Sequence, residues 1–497
     1  MIDVKVKIHD RFSLEFKISF IANRYTQDED INKNEFSINT WLFVPNSLDI
    51  NRVTYTKERF YRDTKSNIRL ITPVYSLNEV YTGEDSPFYK LKTAIENLSE
   101  NPEQKELLED YTFQVKMFSS IFKSAARDRA YYIAEEPDQN KLLKLLDEYI
   151  VHINNILAKY RELSPLVMNS ALSEDNKEIY HFGDDFIGNI AEQNAFRIMR
   201  RLKNNPVYHK AATQLYKLVE KENMYKSGQG YSQLNKEDET NNYLVIMRRG
   251  ILKKFIESDL YLNAKRLKDG AFAEQFYYGV AAGVSMIFAT IVAFTAQMRY
   301  GNFTMPLFFA LVVSYIFKDR IKDLMRYYFS TQLGKKYFDN KRQLEIQEKN
   351  IGWVKESFDY VSEGKTPESV MNMRKRTPLV EAENKIYNEK ILLYKKLVQL
   401  NPSEISGYKG YRFKGINDIT RFNLTHFVQK MDNPSIPIYM PDEKNGYISY
   451  NSEKVYAVHI IIRCEGGQDL YYRKFRMLLN REGIKEIKEI EAINKSK

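Results

Sequence analysis

The chain has 497 residues, 28% of them charged and 43% hydrophobic, with a formal net charge of +10. That length gives room for about three domains. The single cysteine, Cys464, excludes an internal disulfide framework and, beside only six histidines, a thiolate zinc site. The charge is modest for the length and partly concentrated beside the apolar segments described below. It therefore argues against a nucleic-acid partner and favours an anionic membrane surface.

Residues 1–82 have the pattern of β-strands. Val4, Val6 and Ile8 alternate with polar residues, and a similar alternation continues through residues 12–20. We predict a β-rich cytoplasmic N-terminal domain over residues 1–82. Because the first residues contain no apolar core segment, we do not expect them to form a signal peptide.

Residues 86–269 have the pattern of helices. Ser86 followed by Pro87 is typical of a helix N-terminus. Residues 141–163 repeat apolar side chains at the i, i+3, i+4, i+7 spacing of an amphipathic helix. We predict a helical middle region in which two long helices pack antiparallel.

Two apolar segments, residues 276–298 and 303–317, are separated by four residues. As helices they measure roughly 34 and 22 Å, against a bilayer hydrocarbon core of about 30 Å. We predict a two-helix transmembrane hairpin over residues 276–317, whose second helix is short unless flanking cations extend it. A buried helical hairpin of a soluble core and a re-entrant loop are the alternatives.

Small residues follow one side of the first apolar segment. They form a candidate surface for membrane helix packing: Gly279, Gly283, Ser285 and Ala289. Small side chains let helix backbones approach closely in lipid. This surface either receives the second helix of the same hairpin, which is the interpretation we favour, or joins copies of the chain into a homo-oligomer.

Basic residues flank the hairpin on both sides, whereas its turn contains one cation, Arg299. By the positive-inside rule both flanks, and with them both termini, are cytoplasmic. The cations after the hairpin are candidate membrane-surface residues: Lys318, Arg320, Lys322 and Arg326. They belong to a predicted basic juxtamembrane helix, residues 318–349, which either lies among the lipid headgroups or continues the second span as a stalk.

Residues 385–497 return to strand patterns. The apolar stretches are residues 391–400, 411–431, 447–464 and 470–479, with hairpin-type turns at Asn445-Gly446 and Gly466-Gly467. We predict an antiparallel β-rich cytoplasmic C-terminal domain. Its last residues, 482–497, are charged and are expected to be helical or frayed.

Chemical motifs are sparse. No stretch has the spacing of a nucleotide-binding loop, a zinc-protease helix or a serine-hydrolase turn. His181 lies near Asp184 and Asp185, a candidate metal or acid–base group, but aspartates just before a predicted helix are more simply N-terminal caps. Cys464 ends an apolar strand, and we interpret its thiol as buried and inert. We assign no catalytic residue, cofactor or metal ligand.

These patterns predict an α+β integral membrane protein with a β-rich N-terminal domain, a helical middle region, a transmembrane hairpin and an antiparallel β-rich C-terminal domain. The favoured function is a membrane-anchored cytoplasmic interaction or sensor protein without evident catalysis, whose partners are the lipid bilayer and an unidentified protein. An oligomeric effector whose hairpins assemble into a pore and a membrane-tethered enzyme are the alternatives. Because the layout is that of bacterial membrane proteins, we expect the cytoplasmic membrane of a bacterium.

Overall fold

The computed structural model describes residues 2–22, 34–346, 349–405, 407–467 and 469–496, with all their side chains except those of residues 331, 333–336 and 492–496. The chain forms two compact units. The β unit comprises Met1–Ile68, Asn263–Tyr408 and Lys414–Lys497. The helical unit comprises Arg69–Leu262 and Lys409–Phe413.

The secondary structure is mixed. In chain order the α-helices are α1 (Lys57–Asp63), α2 (Pro87–Glu100), α3 (Lys105–Glu135), α4 (Gln139–Glu162), α5 (Ser164–Met168), α6 (Glu174–Leu202), α7 (Tyr208–Gly228), α8 (Glu239–Glu257), α9 (Ala271–Tyr300), α10 (Met305–Lys336), α11 (Glu368–Arg374), α12 (Pro378–Ile386), α13 (Pro402–Ile405) and α14 (Thr425–Val428). The β-strands are β1 (Ile2–Asp10), β2 (Ser13–Ile21), β3 (Asn34–Val44), β4 (Thr64–Leu70), β5 (Asn263–Leu267), β6 (Asn340–Ile346), β7 (Lys349–Val361), β8 (Lys390–Leu400), β9 (Gly415–Asn423), β10 (Ser435–Asp442), β11 (Gly446–Glu453), β12 (Tyr456–Gly466), β13 (Asp469–Asn480) and β14 (Gly483–Ser496).

The helical unit contains α2–α8, in the region where the sequence predicts helices. The Ser86 side chain accepts a hydrogen bond from the Tyr89 N–H, which caps α2, and Pro87 is the first helical residue. The amphipathic pattern of residues 141–163 corresponds to α4. Its buried side chains, from Leu142 to Tyr160, follow the spacing of the predicted apolar side.

The described residues of the β unit form three sheets. The first has the strand order β1-β2-β9-β4, and the second has the order β14-β13-β12-β3-β8-β7-β6-β5. Every neighbouring pair in the second sheet is antiparallel. The third sheet is the hairpin β10-β11.

The predicted separation into an N-terminal and a C-terminal β-rich domain is wrong. β3 lies between β12 and β8, and β2 pairs with β9, so that strands from both ends of the chain share each of the two larger sheets. Alternation along a strand shows which face is buried, but it does not identify the neighbouring strand. The expectation for residues 482–497 is also wrong where the structure describes them, because residues 483–496 form β14, which pairs with β13; residue 497 lies outside the described residues.

The two larger sheets of the β unit pack face to face. Apolar residues of β2, β3, β8 and β9 line a small cavity of about 30 Å³ between them. A buried ion pair crosses the same space, where Lys396 on β8 binds Asp418 on β9 and lies 2.6 Å from the Thr420 hydroxyl. On its other face the second sheet is covered around Trp41 by Val370 and Met373 of α11. Both faces of β3 are therefore buried.

The predicted two-helix transmembrane hairpin is not what the structure shows. α9 and α10 pack on each other as antiparallel helices. Among the described residues, however, only α9 is long and apolar enough by length and composition to cross a membrane. The apolar part of α10 ends at Phe317, and charged residues follow it within the same helix. The predicted helix over residues 318–349 is likewise shorter, since α10 ends at Lys336 and β6 begins at Asn340.

Candidate membrane-attachment site

The helix pair α9/α10 leaves and re-enters the same sheet of the β unit. β5 precedes α9, β6 follows α10, and the two strands pair, with Ala264 opposite Leu344. Gly270, the residue before α9, has a φ of 71°, a conformation that favours glycine. A Cβ at this position would also lie 2.6 Å from Cγ of Tyr337. The turn at the root of the pair therefore requires glycine.

A cleft of about 580 Å³ surrounds this root. Its three carboxylates are already engaged: Asp269 lies 3.1 Å from the Lys355 ammonium, Asp339 lies 2.7 Å from that of Lys57, and Glu274 binds Lys268. The carboxylates at the root are thus paired with lysines. Among the described residues no group of three or more His, Cys, Asp or Glu is placed to hold a metal ion.

Most of the helix-pair surface is apolar and exposed. In α9 only Ala281, Ser285 and Ala296 are buried. Large apolar side chains of both helices that are 42–61% exposed include Val284, Ile287, Ile291, Phe294, Phe308, Phe309, Leu311, Val312, Val313, Ile316 and Phe317. Contiguous exposed apolar surface on this scale marks a site of contact with lipid or protein.

The predicted small-residue surface divides into two parts. Ser285 is buried, and the carbonyl oxygen of Ala289 lies 3.5 Å from Oγ of Ser314 on α10. Gly279 and Gly283 are exposed, and a Cβ on either would meet no atom of the described chain within 4 Å. α10 therefore packs on the serine and alanine side, while the glycine pair faces outward.

Contacts between the helices fix the relative levels of their side chains. Ser314 lies beside Ala289, and the Arg326 guanidinium lies 5.5 Å from the ring centroid of Tyr278. One helical turn is about four residues, so Lys318 lies at the level of Ser285. The charged part of α10 is thus beside the first half of α9, although the sequence of α9 is apolar there.

The predicted basic residues lie along this charged part of α10. The Lys318 ammonium lies 3.8 Å from the ring centroid of Tyr315 and 3.8 Å from Asp319, which is also 3.5 Å from Lys322. Arg320 is exposed. The aromatic partners Tyr315 and Tyr278 were not singled out from the sequence. Tyrosines beside cations at the ends of an apolar helix are typical of a membrane interface.

The apolar section common to both helices is shorter than either apolar segment suggests. We call it the distal section, residues 286–317, because it lies beyond the level of Lys318. Its α10 part, residues 305–317, measures roughly 20 Å, whereas a bilayer hydrocarbon core is about 30 Å thick. The neighbour of α9 therefore limits the usable apolar thickness.

The candidate group of His181, Asp184 and Asp185 lies elsewhere, inside α6 of the helical unit. The helix begins at Glu174, so the predicted capping role of the aspartates is wrong. Both aspartates are at most 4% exposed. Gly183 allows the close approach of α4, because a Cβ there would lie 2.2 Å from Oη of Tyr160.

Asp184 is held by three donors. The Arg161 Nε lies 3.0 Å from Oδ1, and the hydroxyls of Tyr225 and Tyr231 lie 2.8 and 3.1 Å from Oδ2. Nδ1 of His181 lies 3.0 Å from the same Tyr231 hydroxyl. Burial, followed by the charge of Asp184, raises the pKa of Tyr231. The histidine therefore meets the carboxylate only through a tyrosine that remains protonated.

Asp185 points to a different set of partners. Arg248 Nε lies 2.9 Å from its Oδ2, and Asn189 Nδ2 lies 2.8 Å from its Oδ1. The two adjacent carboxylates thus do not converge on one position. Their contacts are those of a buried ion-pair network that joins the helices.

Cys464 is fully buried on β12, and burial raises the pKa of its thiol to about 12. A thiol in that state is not a nucleophile at neutral pH.

The chain was also compared with known proteins. It matches no family model, no curated protein and no solved structure.

Proposed function

We propose that the protein is a membrane-attached interaction protein whose distal section inserts into a lipid bilayer. The observation that carries this proposal is the exposed apolar surface of both helices of the pair. In the apolar stretch of α9 only 17% of the residues are buried. Soluble monomers rarely leave a contiguous apolar surface of this extent in water. The β unit would then lie at the membrane surface, with the charged part of α10 among the headgroups.

The apolar side chains of the distal section favour its insertion. Leu, Ile, Phe and Val each gain about 0.3–0.6 kcal/mol at the centre of an inserted helix. About ten exposed side chains of these types therefore supply roughly 3–6 kcal/mol. The cations of α10 add attraction to anionic lipid of about 1 kcal/mol each near the surface.

The distribution of cations supports a cytoplasmic orientation for the β unit. Lys265, Arg266 and Lys268 precede α9, whereas Arg299 is the only cation at the distal turn. Basic residues are retained on the cytoplasmic side of membranes. The chain enters and leaves the helix pair on paired strands, so both flanks share one side.

An interaction role fits this layout better than catalysis. The carboxylates at the root cleft and in α6 are engaged by cations, tyrosines and amides. Most of the chain forms two folded units, and the helix pair belongs to the β unit. Such a protein presents folded surfaces to partners near a bilayer.

Vesicle binding tests the proposal. In the test variant Ile291→Lys and Phe294→Lys are combined, two positions about 60% exposed on α9. Two lysines in hydrocarbon cost about 5–7 kcal/mol, so co-flotation with vesicles should fall by more than 10³-fold. The control combines Val53→Lys and Val74→Lys, which are 86% and 69% exposed elsewhere, and should float normally. A wild-type chain that is monodisperse without detergent and ignores vesicles overturns the proposal.

A further inference from the structure

The hairpin β10-β11 is an exposed arm that forms a sheet by itself. Its apolar side chains are 44–64% exposed: Ile436, Ile438, Tyr439, Met440, Tyr447, Ile448 and Tyr450. Neither strand pairs with any other strand that the structure describes. A two-stranded hairpin alone in water is marginally stable, so an arm of this kind gains stability from a further strand.

The two free edges of the arm differ. Proline has no N–H to donate. Pro437 and Pro441 lie within the uninterrupted pairing of β10 with β11, so their backbone nitrogens must face away from β11, towards the free edge of β10. They therefore deprive the free edge of β10 of two donors. Proline on an edge strand is a common protection against unwanted pairing.

The free edge of β11 has no such protection. Tyr447, Ser449 and Asn451 lie opposite Pro441, Tyr439 and Pro437, so their N–H and C=O groups point to the free edge. Residues 446–452 contain no proline and no charged side chain, and the ladder shows no bulge over them. An uncharged, regular edge strand is open to pairing with another strand.

We propose that β11 pairs antiparallel with β11 of a second copy of this chain. A two-fold axis through Ser449 places Tyr447 opposite Asn451 of the second copy and Ile448 opposite its Tyr450. Apolar residues then meet on one face of a four-stranded sheet, a favourable cross-strand arrangement. No charged residue opposes another within residues 446–452. The strand is therefore self-complementary in this register.

The arm is also fixed at its base, which keeps the edge of β11 in a defined position. Lys454 binds Asp432, whose carboxylate also lies 3.0 Å from the Tyr456 hydroxyl. Lys485 lies 2.9 Å from Glu453. Seven-residue strands make a small interface, so the dimer is weak and transient in solution. This pairing needs no membrane and goes beyond the proposed function.

Cysteine cross-linking tests the register. With Ser449→Cys the two thiols face each other across the axis, at a Cα separation of about 5.5 Å that a disulfide spans. With Asn451→Cys they lie four residues apart along paired strands, roughly 13 Å, which a disulfide cannot span. The buried Cys464 does not react. Covalent dimer from the first variant alone supports the proposal; dimer from both variants or from neither overturns it.

Charge exchange tests the identity of the partner. Ser449→Lys and Ser449→Asp each place like charges on the axis, which should weaken the dimer by about twofold to fivefold. An equimolar mixture of the two variants should recover the wild-type dimer fraction in sedimentation equilibrium in detergent. Tyr439→Lys, on the other edge of the arm, should leave it unchanged. If the wild-type chain stays monomeric at every concentration, or if mixing restores nothing, a strand of another protein or no strand pairs there, and the proposal is wrong.

Discussion

Two positions of α9 distinguish the depth in a bilayer predicted from its apolar sequence from the depth set by its packing on α10. Val280 and Ile291 both lie in the apolar segment 276–298 and are 38% and 59% exposed. By apolar length alone both would lie in hydrocarbon. The contacts of α10 place Val280 at the level of Asp323. We predict that the thiol of a Val280→Cys variant stays in contact with water in proteoliposomes, whereas that of Ile291→Cys is protected by lipid.

The magnitudes decide between these outcomes. Charged residues of α10 lie beside the first half of α9: Lys318, Asp319, Arg320, Lys322, Asp323 and Arg326. Each costs about 2.5–3.5 kcal/mol at a bilayer centre, or on the order of 15–20 kcal/mol together before ion pairing. Burying the apolar side chains of Phe276, Val280 and Val284 returns only about 1–2 kcal/mol. We therefore expect the charges to keep this level of the helix pair outside the hydrocarbon.

The assay is modification by a membrane-impermeant maleimide. Cys464 gives no background, because it is fully buried and its pKa is raised to about 12. The two positions are roughly 16 Å apart along the helix, so Val280→Cys should react at least about tenfold faster in vesicles than Ile291→Cys. Unfolding in SDS should make both fully reactive. Equal protection of both thiols in vesicles would show that the charged part of α10 enters the bilayer and would refute the register argument.

Two further predictions concern buried contacts in the two units. Burial alone would raise the pKa of Asp418, but Lys396 and other cations outweigh burial, so that the pKa is lowered. The ionised Asp418 therefore stabilises the fold above about pH 4. This stabilisation is lost as pH falls through the folded-state pKa. Lys396→Met should therefore cost about 3–5 kcal/mol at pH 7, and in urea unfolding the cost should shrink below pH 4; a cost independent of pH would contradict the ion-pair account. Gly183→Ala places a Cβ 2.2 Å from Oη of Tyr160 and should destabilise by about 1–3 kcal/mol, whereas Gly228→Ala, which meets no described atom within 4 Å, should be neutral or slightly stabilising in thermal unfolding.

Local elements were predictable where one short stretch of sequence determines them. The amphipathic repeat of α4 and the Ser86-Pro87 start of α2 both correspond to helices at those positions. The turn at Asn445-Gly446 joins β10 to β11 as predicted. Such features depend on propensity, capping and periodicity, which neighbouring residues largely decide.

Strand partners were not predictable, because the pairing residues are far apart in the chain. β3 pairs with β8 and β12, more than 350 residues downstream for some pairs, such as Trp41 with Ile461. The charged stretch that forms β14 gave no strand pattern, and its pairing with β13 decides its structure. Tertiary context overrides local propensity in sheets more than in helices.

The start of α6 was missed although a signal was present. Tyr180, Asp184, Ile187, Ala191 and Ala195 are buried at spacings of three and four residues, so the helical stripe continues through the aspartates. Counting only apolar residues ended the stripe too late, because one of its members is a carboxylate bound to Arg161. A buried ion pair hides a helix from a hydrophobic pattern.

The length of an apolar segment measures how much bilayer one isolated helix is able to cross, not how much a packed pair does. Among the described helices only α9 is long and apolar enough to cross a membrane. The contact of Ser314 with Ala289, however, places Lys318 of α10 beside the first half of α9. Because the helices are packed, moving α9 deeper carries the charges of α10 with it. We therefore expect the less apolar helix to set which section is able to enter lipid, and this section follows from the register of the pair, which no single segment encodes.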